Sequence, residues 1–354
     1  MPSFTGKGLF LELAEQSILA ARTSHLGAPF VLEALGECAM GEEEDMRLWL
    51  CDFLGTSAKR GQFIPAICSV FPPNRFVRRG SIDNPARSKD PSFFPEFVKQ
   101  QFKIDVSSNL VAVMNATRGS EFRLDAEFSK ELVFCGAPSA ELLMEQEQIQ
   151  ALGIYPQRVE VGTLSAIGGL ARYQAATNIQ APTLMLELTP DVANVFVIQG
   201  DTLDVARAIP YGLNSMYPIV QKELGLKDEA SAKRLFGTNT FDFTEMGPVL
   251  LKKLIKELQA STGFYEVQTG QTIGGIFLTQ LPANLQWISS ILSKSLGIDE
   301  FTVDAAEFCA SEGIEVDSSL DLSSVDRRWF GLLSLMAVDK QSIAKKEASR
   351  GKEK

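Results

Sequence analysis

The sequence predicts an α/β protein built of two similar lobes, and three observations carry that expectation. The first is an internal repeat: LFLELAEQSILAAR (residues 9–22) resembles LMLELTPDVANVFV (residues 184–197), each an apolar strand of the form L-x-L-E-L, a short polar turn and a second apolar strand. Setting Glu12 against Glu187 separates the copies by 187 − 12 = 175 residues, close to half of the 354-residue chain. The second is that both copies continue alike, with a third strand (30–38 and 204–209) followed by a helical pattern. The third is length, because 354 residues exceed one comfortable core at roughly 100–200 residues per domain.

Each element has a local reason. Gly200-Asp201 is a two-residue hairpin signal of the kind that matches strand twist. The stretch 42–55 gathers acids at its start, where a helix dipole favours them, and stops at a glycine. Its counterpart, 218–226, has Pro218 where a first helical turn tolerates it. Strands then helices, twice over, is the order of a duplicated RNase H-like lobe. Between the copies, Pro85, Pro91 and Pro95 exclude a long continuous helix. Strands at 63–71, 110–114 and 132–135 and a helix ended by Gly153 make this stretch a small α/β insertion on the first lobe. In the second lobe, Leu250, Leu251, Leu254, Ile255 and Leu258 form one apolar helical face.

Composition narrows the chemistry. The net charge is −10 and the pI about 4.9, against a role in binding nucleic acid, where basic side chains must neutralise phosphates. Cys38, Cys51, Cys68, Cys135 and Cys309 are odd in number with no C-x-x-C pair, which fits reduced thiols better than a disulfide frame or a zinc site. The single histidine, His25, lies in a turn-like stretch, so histidine-based catalysis is not expected. No apolar leader or window approaches the ~18 apolar residues of a membrane span, which points to the cytoplasm.

The run from Gly153 and Pro156 through Ile209, Pro210 and Gly212 is similar to the centre of PilM-type proteins of type IV pilus assembly, and Phe264, Tyr265, Gln268, Asn284, Leu285 and Gly297 match their later aromatic-plus-Gln, strand and helix segments. The resemblance is to a divergent member of the PilM family. It implies an α/β, actin-like (duplicated RNase H-like) two-lobe fold with a small α/β insertion in the first lobe and a helical insertion in the second. The implied partition is first-lobe core 1–58 and 153–182, small insertion 59–152, second-lobe core 183–220 and 263–325, helical insertion 221–262, a C-terminal helix 326–344 packing on the first lobe, and a disordered tail 345–354.

Actin-fold ATPases hold phosphates with glycine-rich hairpins, because backbone N–H groups must reach the anion without a Cβ in the way. At the first such hairpin this chain has Glu12, Ala14, Glu15, Gln16 and Ser17; Glu15 brings a like charge toward a triphosphate. The second reads Glu187, Thr189, Pro190 and Asp191, where proline removes a donor and another acid faces the site. The third, in place of a glycine pair, reads Thr279, Gln280 and Leu281, so that a side chain fills the approach path of the base. Glu12 and Glu187 are then expected to be acids tolerated at strand ends near solvent. No catalytic residue, metal or cofactor is expected; residual Mg-ATP binding through Glu12 and Glu187 is the alternative.

The resemblance further implies a peripheral cytoplasmic scaffold of a type IV pilus or type II secretion machine at the inner membrane, reaching the membrane only through partners. Its partner would be an extended cytoplasmic peptide of a bitopic PilN-like protein, lying between the first-lobe core and its insertion, and the assembly motor ATPase would be a second. Candidate contacts are Arg75, Arg78, Arg79, Phe93, Phe94 and Phe97, of residue types favoured at hot spots, against the plainer and favoured reading of core phenylalanines and arginines on a solvated turn. Rival readings are an active actin-like ATPase or sugar-kinase-like enzyme, and a division-type filament former anchored by the amphipathic C-terminal helix.

Overall fold

The computed structural model describes residues 6–14, 16–55, 63–84, 89–90, 92–123, 129–238 and 240–337. The first lobe opens with an antiparallel meander, β1 (Gly8–Leu13), β2 (Ser17–Thr23) and β3 (Val31–Ala39). Helix α1 (Glu43–Leu54) follows, with Glu43, Glu44 and Asp45 in its first turn and Gly55 closing it. Strands β4 (Ile64–Val70) and β8 (Ile154–Val161) then add in parallel, and a short β13 (Glu315–Val316) joins the far edge, for the order β13-β3-β2-β1-β4-β8. In the second lobe β9 (Thr183–Leu188), β10 (Ala193–Gln199), β11 (Thr202–Ile209) and β12 (Gly275–Thr279) take the order β11-β10-β9-β12.

The repeat in the sequence is therefore a repeat in topology. In each sheet a three-stranded meander is extended in parallel on its first strand, β4 on β1 and β12 on β9. The match reaches single residues: Glu12 pairs with Ser69 and Glu187 with Thr279, an acid opposite a hydroxyl in both lobes. Side chains alternate across a strand, so Leu9, Leu11 and Leu13 pack into one lobe's outer core and Leu184, Leu186 and Leu188 into the other's. Phe10 and Met185 point the opposite way, into a third core shared by the lobes. Helices α4 (Gly162–Ala176), α10 (Ala305–Glu312) and α11 (Phe330–Met336) fill that shared core with Leu170, Phe308 and Leu332. Glu12 and Glu187 continue the Phe10 and Met185 rows, which places both acids on the interlobe side.

The first-lobe insertion is a sheet of β5 (Phe76–Ser81), β6 (Asn109–Asn115) and β7 (Glu131–Pro138) in the order β5-β7-β6, with α2 (Phe93–Phe102) on one face and α3 (Ser139–Ala151) leading out. Two of these elements, β5 and α2, flank the stretch where prolines exclude a long continuous helix. Strand β5 carries Arg78 and Arg79 with little apolar alternation and is held by its pairing with β7. Helix α2 tolerates Pro95 because the proline falls in its first turn, where N–H groups have no intrahelical partner. The insertion also touches the second lobe: Arg118 N donates to Asp201 O (2.7 Å) and Leu203 N to Ala116 O (2.9 Å).

The second lobe's helices are α5 (Tyr217–Leu224), α6 (Glu229–Gly237), α7 (Gly247–Leu250), α8 (Lys252–Thr269) and α9 (Trp287–Leu296). Of the expected apolar face, Leu250, Leu251, Leu254 and Leu258 are fully buried. Helix α8 runs through Thr262, where the sequence places the end of the helical insertion. The buried stripe Leu254, Leu258, Thr262, Tyr265 continues without a break, and Tyr265 Oη donates to Asp204 Oδ2 (2.8 Å). The five cysteines are free thiols and His25 is exposed. Among the described residues no helix is long and apolar enough to cross a membrane. Residues 338–354, which hold the expected tail and the end of the C-terminal helix, lie outside the described residues.

Candidate functional site

The ends of β1 and β9 meet in the interlobe core, and the two acids there are not near solvent: Glu12 and Glu187 are both 0% exposed. This overturns the expectation of acids tolerated at wet strand ends. A buried carboxylate is costly unless it is paired or gives up its charge, and the two are accommodated differently.

Glu187 is saturated. Arg75 Nη2 lies 3.0 Å from its Oε1, Thr163 Oγ1 donates to the same oxygen (2.7 Å), and Asn194 Nδ2 donates to Oε2 (2.9 Å). Arg75 is itself held, donating from Nε to Thr163 Oγ1 (2.9 Å) and from Nη1 to the carbonyls of Phe71 and Pro72, with its guanidinium 5.2 Å from the centre of the Phe71 ring. Arg75 lies between β4 and β5, at the root of the insertion. Its neighbour Asn74 accepts no such role in the cleft and instead donates from N and Nδ2 to Glu141 on α3. Gly162, which starts α4, permits this packing, since a Cβ there would stand 2.1 Å from Phe71 Cζ and 2.5 Å from Ser69 Oγ.

Glu12 has a single partner. Gln280 Nε2, from the second lobe, donates to its Oε1 (2.7 Å), while Oε2 is buried with no hydrogen-bond partner. Gly331 of α11 closes over it; a Cβ there would lie 2.2 Å from Oε2. Burial pushes the Glu12 carboxyl up to about 8, the Gln280 hydrogen bond opposes that and the nearby Glu187 carboxylate adds to it. At neutral pH Glu12 therefore carries a proton, as a buried carboxylic acid facing a carboxylate should.

The other hairpin positions fall as follows. Ala14 N donates to Ser17 O (3.0 Å) and closes the first hairpin; Glu15 lies outside the described residues. Thr189 Oγ1 donates to Val192 O (2.9 Å), and Asp191 Oδ1 accepts from Asn214 Nδ2 (2.9 Å). Thr279 and Leu281 are core. Gln280 adopts a left-handed backbone (φ 58°) and reaches across to the first lobe's Glu12. Gln16 and Pro190, one from each hairpin, line the same cavity of about 130 Å³ together with Asn214, Lys233 and Asn284. That is small beside the roughly 300–1,000 Å³ of ordinary ligand sites.

These residues do not fit a magnesium nucleotide. Both oxygens of Glu187 already hold protein donors, a guanidinium stands beside it where a metal ion would be needed, and Glu12 is covered by α11. Among the described residues no group of three or more His, Cys, Asp or Glu comes together to hold a metal.

The candidate partner contacts fall as follows. Arg75 has a side chain only 8% exposed and serves the cleft. Arg78 donates to its own strand's Val77 O (2.9 Å), and burial lowers its pKa; Arg79 pairs with Glu131 (3.0 Å). Phe93, Phe94 and Phe97 pack with Phe134 into the insertion's own core. Sequence reasoning missed the role of Arg75 because its partner, Glu187, is 112 residues away and nothing local marks a cleft-directed arginine.

No family model matches the sequence, and neither does any curated protein sequence. Among solved structures the fold is similar to a chain of a PilM-PilN type IV pilus biogenesis complex, with a TM-score of 0.67 and 15% identity, over 93% of this chain and 97% of that one. Weaker likenesses are to the ethanolamine utilization protein EutJ from Carboxydothermus hydrogenoformans (TM-score 0.46, 10% identity, 96% and 92% covered) and to the cytoplasmic domain of EpsL of the Vibrio cholerae type II secretion system (0.42, 10%, 94% and 96%). The chain has an actin-like, two-lobed fold, and its architecture is the PilM-like one that the sequence resemblance implied.

Proposed function

We propose that this protein is a scaffold of a pilus or secretion assembly platform that has exchanged the nucleotide of its fold for an internal ion pair. The observation that carries the reading is the Arg75–Glu187 pair, buried in the cleft with a full set of donors. In an actin-like fold the lobes are ordinarily joined through what lies between them; here Arg75, Thr163 and Gln280 join them with protein groups alone. The protein is accordingly a pseudoenzyme, cytoplasmic and peripheral to the inner membrane. The solved neighbour in complex with PilN supports a PilN-like peptide as partner, and a motor ATPase is a further partner in the same assembly.

The surface best suited to an extended peptide runs along the first lobe beside its insertion. Strand β8 ends the six-stranded sheet, and among the described residues no strand pairs with its outer edge. It presents Tyr155 (58% exposed) and Val159, while Leu143 and Met144 stand exposed on α3 next to it. An edge strand offers unpaired backbone groups to an incoming strand, and alternating apolar side chains give register. Calorimetry tests the two halves separately. Mg-ATP is expected to give no heat of binding, and micromolar binding would end the pseudoenzyme reading. Peptides from cytoplasmic ends of PilN-like proteins are expected to bind, and Tyr155→Ala together with Met144→Ser to weaken them about tenfold or more, as loss of hot-spot contacts does. No binding by any peptide would remove the scaffold role.

A further inference from the structure

Helix α8 has a second amphipathic face. Its inner stripe is core, but Lys253, Lys256, Ala260, Gly263, Phe264 and Val267 recur at three- and four-residue steps on the outer side, with Lys252 beside them. The three lysines are exposed. Phe264 is 64% exposed and Val267 86%, the largest exposure among the large apolar side chains described. Lys253 Nζ lies 5.8 Å from the Tyr211 ring centre, near enough to stay attached to the helix surface and still face outward.

The acids flanking this face are engaged elsewhere. Glu257 pairs with Arg207 (3.2 Å), and Glu266 Oε1 accepts from Ile273 N (3.4 Å). On the neighbouring helix α9, joined to α8 through Gln259 Nε2 and Ser295 O (3.4 Å), the adjacent exposed charge is Lys294. A chain of net charge −10 thus presents a cationic strip with an apolar end. The strip from Lys252 to Val267 is about 22 Å long at 1.5 Å per residue. Because a charged surface is felt over only about 8 Å in physiological salt, local lysines count and the acids on remote faces do not.

We propose that the outer face of α8 docks on an anionic lipid surface, lysines against headgroups and Phe264 and Val267 dipping into the interface. A strip of lysines graded into exposed apolar side chains, with no acid in the stripe, is complementary to such a surface. In the described part of the C-terminal helix, where sequence alone suggested a membrane contact, every residue of α11 is buried. Vesicle binding needs no peptide, so its failure leaves the peptide reading untouched.

The test is co-sedimentation of the full chain with phosphatidylethanolamine–phosphatidylglycerol vesicles, against vesicles with phosphatidylcholine in place of phosphatidylglycerol. Binding to the anionic vesicles alone, weakening as salt rises, is expected. Lys252→Glu/Lys253→Glu/Lys256→Glu should weaken it on the order of 100-fold, at about fivefold per lysine lost from a membrane-proximal site, and Phe264→Ser/Val267→Ser by about tenfold. All five positions are exposed, so both variants should melt with the parent. No sedimentation with anionic vesicles, or equal sedimentation of parent and triple variant, overturns the proposal. So does a result in which the face binds an acidic protein and not lipid.

Discussion

Glu12 and Glu187 stand at equivalent ends of equivalent strands, each opposite a hydroxyl residue on the parallel neighbour, and yet they are in different chemical states. Glu187 receives three protein donors, one of them a guanidinium; Glu12 receives one amide and keeps an unpartnered oxygen. The duplication makes the strands alike, and the insertion makes the acids unlike. Only the first lobe carries the insertion, and the segment leading into it delivers Arg75 to the second hairpin. The first hairpin receives α11 in place of a cation, and a proton resolves what no partner does.

The largest expected effect lies on the charged side of this contrast. Arg75→Ala leaves Glu187 buried without its counter-charge and should cost about 3–5 kcal/mol of stability, the usual penalty for breaking a buried pair from one side. Arg75→Ala with Glu187→Gln should recover part of the loss, because the amide oxygen can accept from Asn194 while its nitrogen donates to the Thr163 hydroxyl that Arg75 no longer occupies, with no charge to neutralise. Urea unfolding of the parent, both single variants and the double variant gives the coupling directly. A cost below about 1 kcal/mol for Arg75→Ala would mean that the two acids are equivalent after all.

The next effect tests the proton on Glu12. Its pKa is raised from 4.5 to about 8, so between those values the folded chain holds a proton that the unfolded chain releases. Stability must then fall as pH rises through this window, by up to about 1.4 kcal/mol per pH unit from this group, and level off above pH 8. Glu12→Gln removes the group, keeps an oxygen for Gln280, and should be the more stable form at pH 8 by a few kcal/mol at most. The measurement is the difference between the stability curves of parent and variant over pH 5 to 9. A difference that stays flat across pH 5 to 9 would assign Glu12 a charge instead, because folded and unfolded chains would then both be ionised throughout.

How much of this was legible follows from where each signal lies. The paired L-x-L-E-L strands were readable because strand alternation is local, and with them came the two-lobe fold, the meander that opens each lobe and the meeting of the hairpins; the parallel strand β4, read as part of the insertion, belongs to the core sheet through its pairing with β1. The burial of Glu12 and Glu187 was not, because Phe10 and Met185 reveal a shared interlobe core only once both lobes are placed. Phe93, Phe94 and Phe97 could be read from sequence either as partner contacts or as core, since their core partner, Phe134, comes from a strand some forty residues on. Arg75 and Gln280 act across 112 and 268 residues of sequence, where spacing carries no information. The outer lysines of α8 were visible as charge, but only the packing of Leu254, Leu258 and Tyr265 shows which way they face.

The smallest effect asks whether α11 is what closes the first hairpin. Gly331→Ala places a Cβ 2.2 Å from Glu12 Oε2, a contact that one of the two must yield, at about 1–3 kcal/mol for overpacking a filled site. In a Glu12→Ala background the obstruction is gone, and alanine is a better helix residue than glycine by about 1 kcal/mol. The same substitution should therefore destabilise the parent and stabilise the Glu12→Ala variant. Thermal or urea unfolding of the four proteins decides it by sign, which is more robust than magnitude when the effect is small. If Gly331→Ala has the same sign in both backgrounds, α11 does not press on Glu12, and the difference between the hairpins must come from the Arg75 side alone.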